Sequence, residues 1–164
     1  MLLAVDTNFL IHLAGGREVA LDALEIMRER VEAGALVAGR TVLGELDNIE
    51  ENGSLLERKL AGEAIGKMRA WQITPQDLSS VGETVVRRIA AGLLETGLLP
   101  AEERNDALIL AEAAFSGCGM LITSDTHLLE IDVQCLRVLL QEHGVGVPLI
   151  IAPVKIKRLF GGRR

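Results

Sequence analysis

Four carboxylates stand where apolar runs break off. Asp6 follows Leu2–Val5 in VDTNFLI, Glu45 lies in TVLGELDNI, Asp106 in RNDALILAEA, and Asp125 closes the run LITSD. Each alone has an ordinary use. Asp6 can cap a helix that begins near Asn8, Glu45 can be solvated on a helix face, Asp106 can pair with Arg104, and Asp125 can cap the helix after it. Gathered in one place, they do something different. Two carboxylates about 4 Å apart repel by roughly 4 kcal/mol at an effective dielectric of 20. A cluster of four therefore needs a bound proton, a basic partner or a divalent cation. Of the cations, Mg²⁺ or Mn²⁺ suits a set of oxygen ligands that leaves positions open.

Whether the four meet depends on the elements that carry them. Leu2–Val5, Ala35–Ala38, Trp71–Thr74, Met120–Thr123 and Val147–Ala152 are short apolar runs that read as strands. Helical patterns separate them: Asn8–Leu13, Glu18–Ala33, Val42–Glu51 with Thr41 as N-cap, and a helix from Ser54 to about Arg69. Ser54 and Glu57 have the spacing of a capping box. Further helices are expected over Ser80–Thr96, Ala101–Ser116 and 126–142, and Pro153 opens a short terminal one. Apolar strands alternating with helices imply a parallel sheet covered on both faces. The fold class expected is α/β, a three-layer α/β/α sandwich around a central, mainly parallel sheet of four to five strands.

Open sheets of this kind bind ligands beyond the carboxyl ends of their strands. Asp6 and Asp125 follow the first and fourth strands, and Glu45 lies one turn into the helix after the second. From Asp106 to Ser116 a helix descends about 15 Å, and from Met120 to Asp125 a strand climbs back about 16 Å. Asp106 and Asp125 therefore belong at the same height, and all four acids at one edge of the sheet.

The chain has 164 residues, enough for one domain with a substantial core; 49% are hydrophobic and 24% charged. With three Phe, one Trp and no Tyr, that core must be aliphatic, and Trp71 is read as part of it. Asp6 and Asn8 interrupt the apolar start and no basic segment precedes it, which argues against a signal peptide. No run reaches the roughly 18 apolar residues of a membrane helix, so the expected location is the cytoplasm. Cys118 and Cys135 lack metal-ligand spacing and are read as reduced packing residues. Net charge is −6, and the last ten residues, KIKRLFGGRR, carry five positive charges and no negative ones, leaving −11 on residues 1–154. The chain is thus divided into an acidic domain, 1–154, and a basic C-terminal tail, 155–164. The apolar segment AAGLLETGLLP, around Gly92 and Gly97, is a candidate homodimer surface.

The four motifs in their order, spanning essentially the whole chain, resemble the PIN domain. That family consists of metal-dependent nucleases and includes the VapC toxins of toxin–antitoxin pairs. The resemblance implies that Asp6, Glu45, Asp106 and Asp125 are the catalytic and metal-binding set for Mg²⁺ or Mn²⁺. It implies that Asn8 orients Asp6, and that Thr123 or Ser124 is the hydroxyl before the last Asp. Many relatives carry a further acid where this chain has His127. The function implied is a ribonuclease hydrolysing phosphodiester bonds in single-stranded RNA, with an antitoxin as a partner and a homodimer as the assembly. An acidic edge repels RNA unless metal and basic residues help, and His127, Lys155, Lys157 and Arg158 are the candidates for substrate contact. His12 and His143 are read as surface or packing residues.

Two other readings belong to different classes. One is a catalytically inert interaction module of the same fold, which need not bind Mn²⁺. The other is a haloacid-dehalogenase-like phosphatase, whose pattern wants a second Asp where this chain has Asn8.

Overall fold

The computed structural model describes residues 1–160. Five strands, β1 (Leu3–Val5), β2 (Leu36–Ala38), β3 (Ile73–Pro75), β4 (Met120–Ile122) and β5 (Leu149–Ile151), form one sheet in the order β3-β2-β1-β4-β5. All four pairings are parallel, with Val5 opposite both Ala38 and Ile122. β1, β2 and β4 are buried at every position, as expected of strands covered on both faces.

Nine helices complete the described residues: α1 (Thr7–Ala14), α2 (Glu18–Arg30), α3 (Arg40–Asn52), α4 (Leu55–Lys67), α5 (Ser80–Glu95), α6 (Arg104–Phe115), α7 (Thr126–Leu129), α8 (Val133–Glu142) and α9 (Pro153–Phe160). The strand order steps outward from β1 to β2 to β3, then returns to β4 and β5 on the other side of β1. Right-handed crossovers then put α1–α4 on one face and α5–α8 on the other. The packing agrees: α3 lies on α4 and α1 on α4, while α5 lies on α6 and α8. The result is the three-layer sandwich, with an aliphatic core running from Leu3 and Phe9 through Ile89 and Leu93 to Leu110 and Leu121. Trp71 is 9% exposed and belongs to that core. None of the helices among the described residues is long and apolar enough to cross a membrane.

Several local expectations change. The single helix over 126–142 is two, because Asp132 turns its carboxylate onto the backbone N–H groups of Gln134 and Cys135, both at 2.9 Å, and starts α8 afresh. The third strand begins at Ile73 rather than Trp71, since Gln72 takes a left-handed conformation (φ 59°) between them. The helix expected from Ala101 begins at Arg104. α3 is capped at Gly39 instead of Thr41, which lies inside its first turn. Cys118 is buried, and its thiol is pushed up to about 11 by that burial, whereas Cys135 is exposed and packs against little. In the AAGLLETGLLP segment, Leu93 and Leu99 are fully buried in this chain, and Gly92 faces Leu139 of α8. Lys155 to Phe160 lie in α9, which packs on α2 with Pro153 and Ile156 buried. Residues 161–164, the rest of the basic segment, fall outside the described residues.

Candidate active site

β1 and β4 are neighbours, yet the chain leaves them in opposite directions, so a crevice opens above their carboxyl ends. Asp6 and the Thr123-Ser124-Asp125 segment sit there, one residue or a few past the strands. Asp6 N–H donates to the carbonyl of Ile122 at 3.1 Å, continuing the ladder to the lip of the crevice.

Asp6 is 4% exposed, and each of its oxygens accepts a hydrogen bond. As N-cap of α1, its Oδ1 accepts from Phe9 N–H at 2.7 Å, and its Oδ2 accepts from the Thr123 hydroxyl at 2.5 Å. Burial pushes its carboxyl from the ordinary 3.8 up to about 6. The bonds from Thr123, Phe9 and the Ser124 backbone pull the other way, and the charge of Glu45 adds to the rise. Thr123 is fully buried, and its Oγ1 also accepts from Asp125 N–H at 2.9 Å, so one hydroxyl ties the first and last acids together. Asp125 caps α7 through Oδ1, which accepts from Leu128 N–H at 3.0 Å. The ordinary capping role considered for Asp6 and for Asp125 is therefore present, and each does it with one oxygen.

Glu45 comes from the second turn of α3. Its Oε2 accepts from the Thr7 hydroxyl and its Oε1 from Asn105 Nδ2 at 2.8 Å. It forms one wall of a cleft of about 370 Å³ lined also by Thr41, Gly44, Asn48, Ile49 and Asn105. Asp106 follows Asn105 in the first turn of α6. Burial raises its carboxyl to about 7, and the charge of Asp125, a hydrogen bond with Glu103 and the charges of Glu103 and Glu45 add to it. Through these couplings each of the four acids senses another as a like charge: Asp6 with Glu45, Asp106 with Glu45 and with Asp125. Among the described residues no Lys, Arg or His pairs with any of them.

The other candidates are placed differently. Asn8 is exposed on α1 and is not among the donors to Asp6; Thr123, Phe9 and the Ser124 backbone fill that role. Ser124 itself is exposed. His127 is exposed on α7, with Nδ1 3.3 Å from Glu103 Oε1. Lys155, Lys157 and Arg158 are exposed on α9, and none of them forms a salt bridge among the described residues. Glu103 and Asn105 were not singled out by sequence reasoning; they lie three residues and one residue before Asp106, which was the available signal.

The donor set fits a hard divalent cation: four carboxylates and no soft ligand, with two of the pKa values raised by burial first and by neighbouring negative charge second. The side chains are not closed around one. Among the described residues, no three His, Cys, Asp or Glu side chains form a group that holds a metal ion as they stand. Both oxygens of Glu45 are turned to Thr7 and Asn105.

No family model matches the chain, and no curated protein matches it either. Among solved structures, it is similar to a chain of VapBC2 from Rickettsia felis, a complex bound to a DNA fragment from its promoter. The TM-score is 0.65 and the identity 15%, over 93% of this chain and 98% of that one. At that identity the likeness is one of fold, and it extends across both chains nearly end to end: this chain has the three-layer architecture of a VapBC2 subunit.

Proposed function

We propose that this chain is a divalent-metal-dependent ribonuclease that hydrolyses phosphodiester bonds in single-stranded RNA. The observation that supports the proposal is the placement of Asp6 and Asp125 just past β1 and β4, tied together by Thr123. Glu45 is linked to the same edge through Thr7 and to the residue before Asp106 through Asn105, and there is no salt bridge to any of the four acids among the described residues. Like charges held together at a cost to the fold need a counter-charge, and Mg²⁺ or Mn²⁺ supplies it. When bound, the cation polarises the phosphodiester and the attacking water and offsets charge on the leaving oxygen.

The chain's own residues do the rest. The Thr123 hydroxyl and the Phe9 and Ser124 N–H groups hold Asp6 in one orientation and favour its charged form. Thr7 and Asn105 hold Glu45 until a cation competes for its oxygens. Asp125 keeps Oδ2 for a ligand while Oδ1 caps α7. Glu103 beside Asp106 favours the protonated form of its carboxyl, which a cation would have to displace. The fold shared with VapBC2 supports a toxin of a toxin–antitoxin pair as the biological setting, with an antitoxin protein as partner and a homodimer as the assembly. A small gene for a DNA-binding antitoxin beside this one is the expected finding.

The test is cleavage of single-stranded RNA with Mn²⁺ or Mg²⁺, compared with Asp6→Asn and Asp106→Asn. Activity that survives either change ends the proposal. An inert interaction module is favoured by one observation, the prior engagement of both Glu45 oxygens; a calorimetric titration with Mn²⁺ separates the two, since an inert module takes up none at this site.

A further inference from the structure

Glu112 is a buried carboxylate that the proposed chemistry does not use. It lies two turns along α6 from Asn105 and is 7% exposed. Its Oε1 and Oε2 accept from Thr41 N–H at 3.1 and 3.2 Å, and Oε1 also accepts from the Thr41 hydroxyl at 2.6 Å. The start of α3 depends on these bonds, because its N-cap is Gly39, which has no side chain to satisfy the open N–H groups. Gly39 also admits the carboxylate: a β-carbon there would overlap Glu112 Oε2. The glycine that forgoes its own cap thus makes room for one delivered from a helix 71 residues later.

A second contact joins the same two helices. Four residues along α3 from Thr41 is Glu45, and seven residues back along α6 from Glu112 is Asn105, which donates to Glu45. α3 and α6 therefore run antiparallel here and are clasped twice, at points about 6 Å apart along α3. One clasp holds Glu45 itself, and the other holds Thr41 about one turn back along α3.

We infer that Glu112 is a positioning residue: seated on the N-terminus of α3, it fixes the register of α3 against α6 and so the placement of Glu45 relative to Asp106. The inference rests on the nuclease proposal, because a shared cation is what makes that relative placement matter. A misplacement of about 1 Å at a reacting centre is enough to cost roughly a hundredfold in rate.

The test is calorimetric titration of the full chain with Mn²⁺, beside thermal unfolding in EDTA. Glu112→Ala should weaken Mn²⁺ binding about tenfold or more, as loss of a residue that orients a ligand does. Glu112→Gln retains a carbonyl acceptor for Thr41 and should recover most of that loss. Leu140→Ala, in the core under α8 and away from the clasp, should lower the melting temperature and leave Mn²⁺ affinity unchanged. Glu112→Ala protein with the parent's affinity, or an equal loss in Leu140→Ala, overturns the inference. Where Glu112→Ala fails to fold, Thr41→Val deletes only the hydroxyl arm and should cost about threefold; parental affinity there overturns it too. A parent chain that takes up no Mn²⁺ overturns the nuclease proposal and this inference with it, whereas equal uptake by parent and Glu112 variants removes only the clasp.

Discussion

Replacing Asp6 by Asn should stabilise the metal-free protein at high pH and destabilise it at low pH. In the folded chain the Asp6 carboxyl keeps its proton up to about 6, against 3.8 for an ordinary aspartate, chiefly because it is buried. Well below pH 3.8 it is protonated folded and unfolded, and its burial as a neutral group costs nothing further. As pH rises through 4 to 6 the folded state binds more protons than the unfolded one, so stability falls. Above both values the accumulated loss is roughly 3 kcal/mol. An amide carries no charge and escapes it. The amide also forfeits the bond between the Asp6 side chain and the Thr123 hydroxyl, worth roughly 1 kcal/mol in either protonation state. The net expectation is a gain of roughly 2 kcal/mol at pH 8, or about 4–8 °C in melting temperature for a chain of this size. At pH 3, where the charge-related loss has all but vanished, the order should reverse, with the variant lower by about 1 kcal/mol. Thermal unfolding of both proteins in EDTA at the two pH values reads this directly. Adding Mn²⁺ at pH 8 should then reverse the ranking, since 100 times the dissociation constant stabilises the parent alone by about 2.7 kcal/mol. A variant less stable than the parent at pH 8 in EDTA, or a difference that ignores pH, would refute the claim that Asp6 is a desolvated charge awaiting a counter-ion.

Further outcomes follow from the same geometry. Mn²⁺ affinity should climb between pH 5.5 and 8, because the cation must displace the protons that burial and like charge hold on Asp6 to about 6 and on Asp106 to about 7; a flat profile by calorimetry contradicts this. Thr123→Val removes a donor that favours the Asp6 anion and should weaken Mn²⁺ roughly tenfold, while unchanged affinity would show that Phe9 and Ser124 suffice. Joint replacement of Lys155, Lys157 and Arg158 by Ala should raise KM for RNA and flatten its salt dependence with kcat preserved. An unaltered salt slope would move the RNA path away from α9.

The parts of the fold visible in the sequence are those with local signals. The five apolar runs and their helical separators place every strand to within two residues at either end, and the Ser54–Glu57 capping box is present, with Ser54 N–H donating to Glu57 at 2.8 Å. The expectation that the four acids share one edge comes from strand direction and helix rise alone. The break at 130–132 escaped because Leu128, Leu129, Val133 and Leu136 keep an apolar rhythm across it; Asp132 was the cue to a new helix. Partnerships made only in three dimensions were not legible. Nothing local marks Thr7 as the donor to Glu45, or Glu112 as the cap of a helix whose own N-cap is glycine. Thr41 read as a cap because it precedes an apolar run, and its hydroxyl is instead spent on Glu112.

The double duty of two of the acids bears on how descent should be read. A lineage that abandoned hydrolysis would still need an acceptor at positions 6 and 125 to fasten α1 and α7, so Asp, Asn, Ser or Thr would persist there for reasons of folding alone. Position 106 is held less firmly by folding. An acid in the first turn of α6 suits the positive end of that helix, but burial and the charges of Asp125, Glu103 and Glu45 all work against its ionised form. Retention of an acid at 106 would therefore speak for a use beyond the fold.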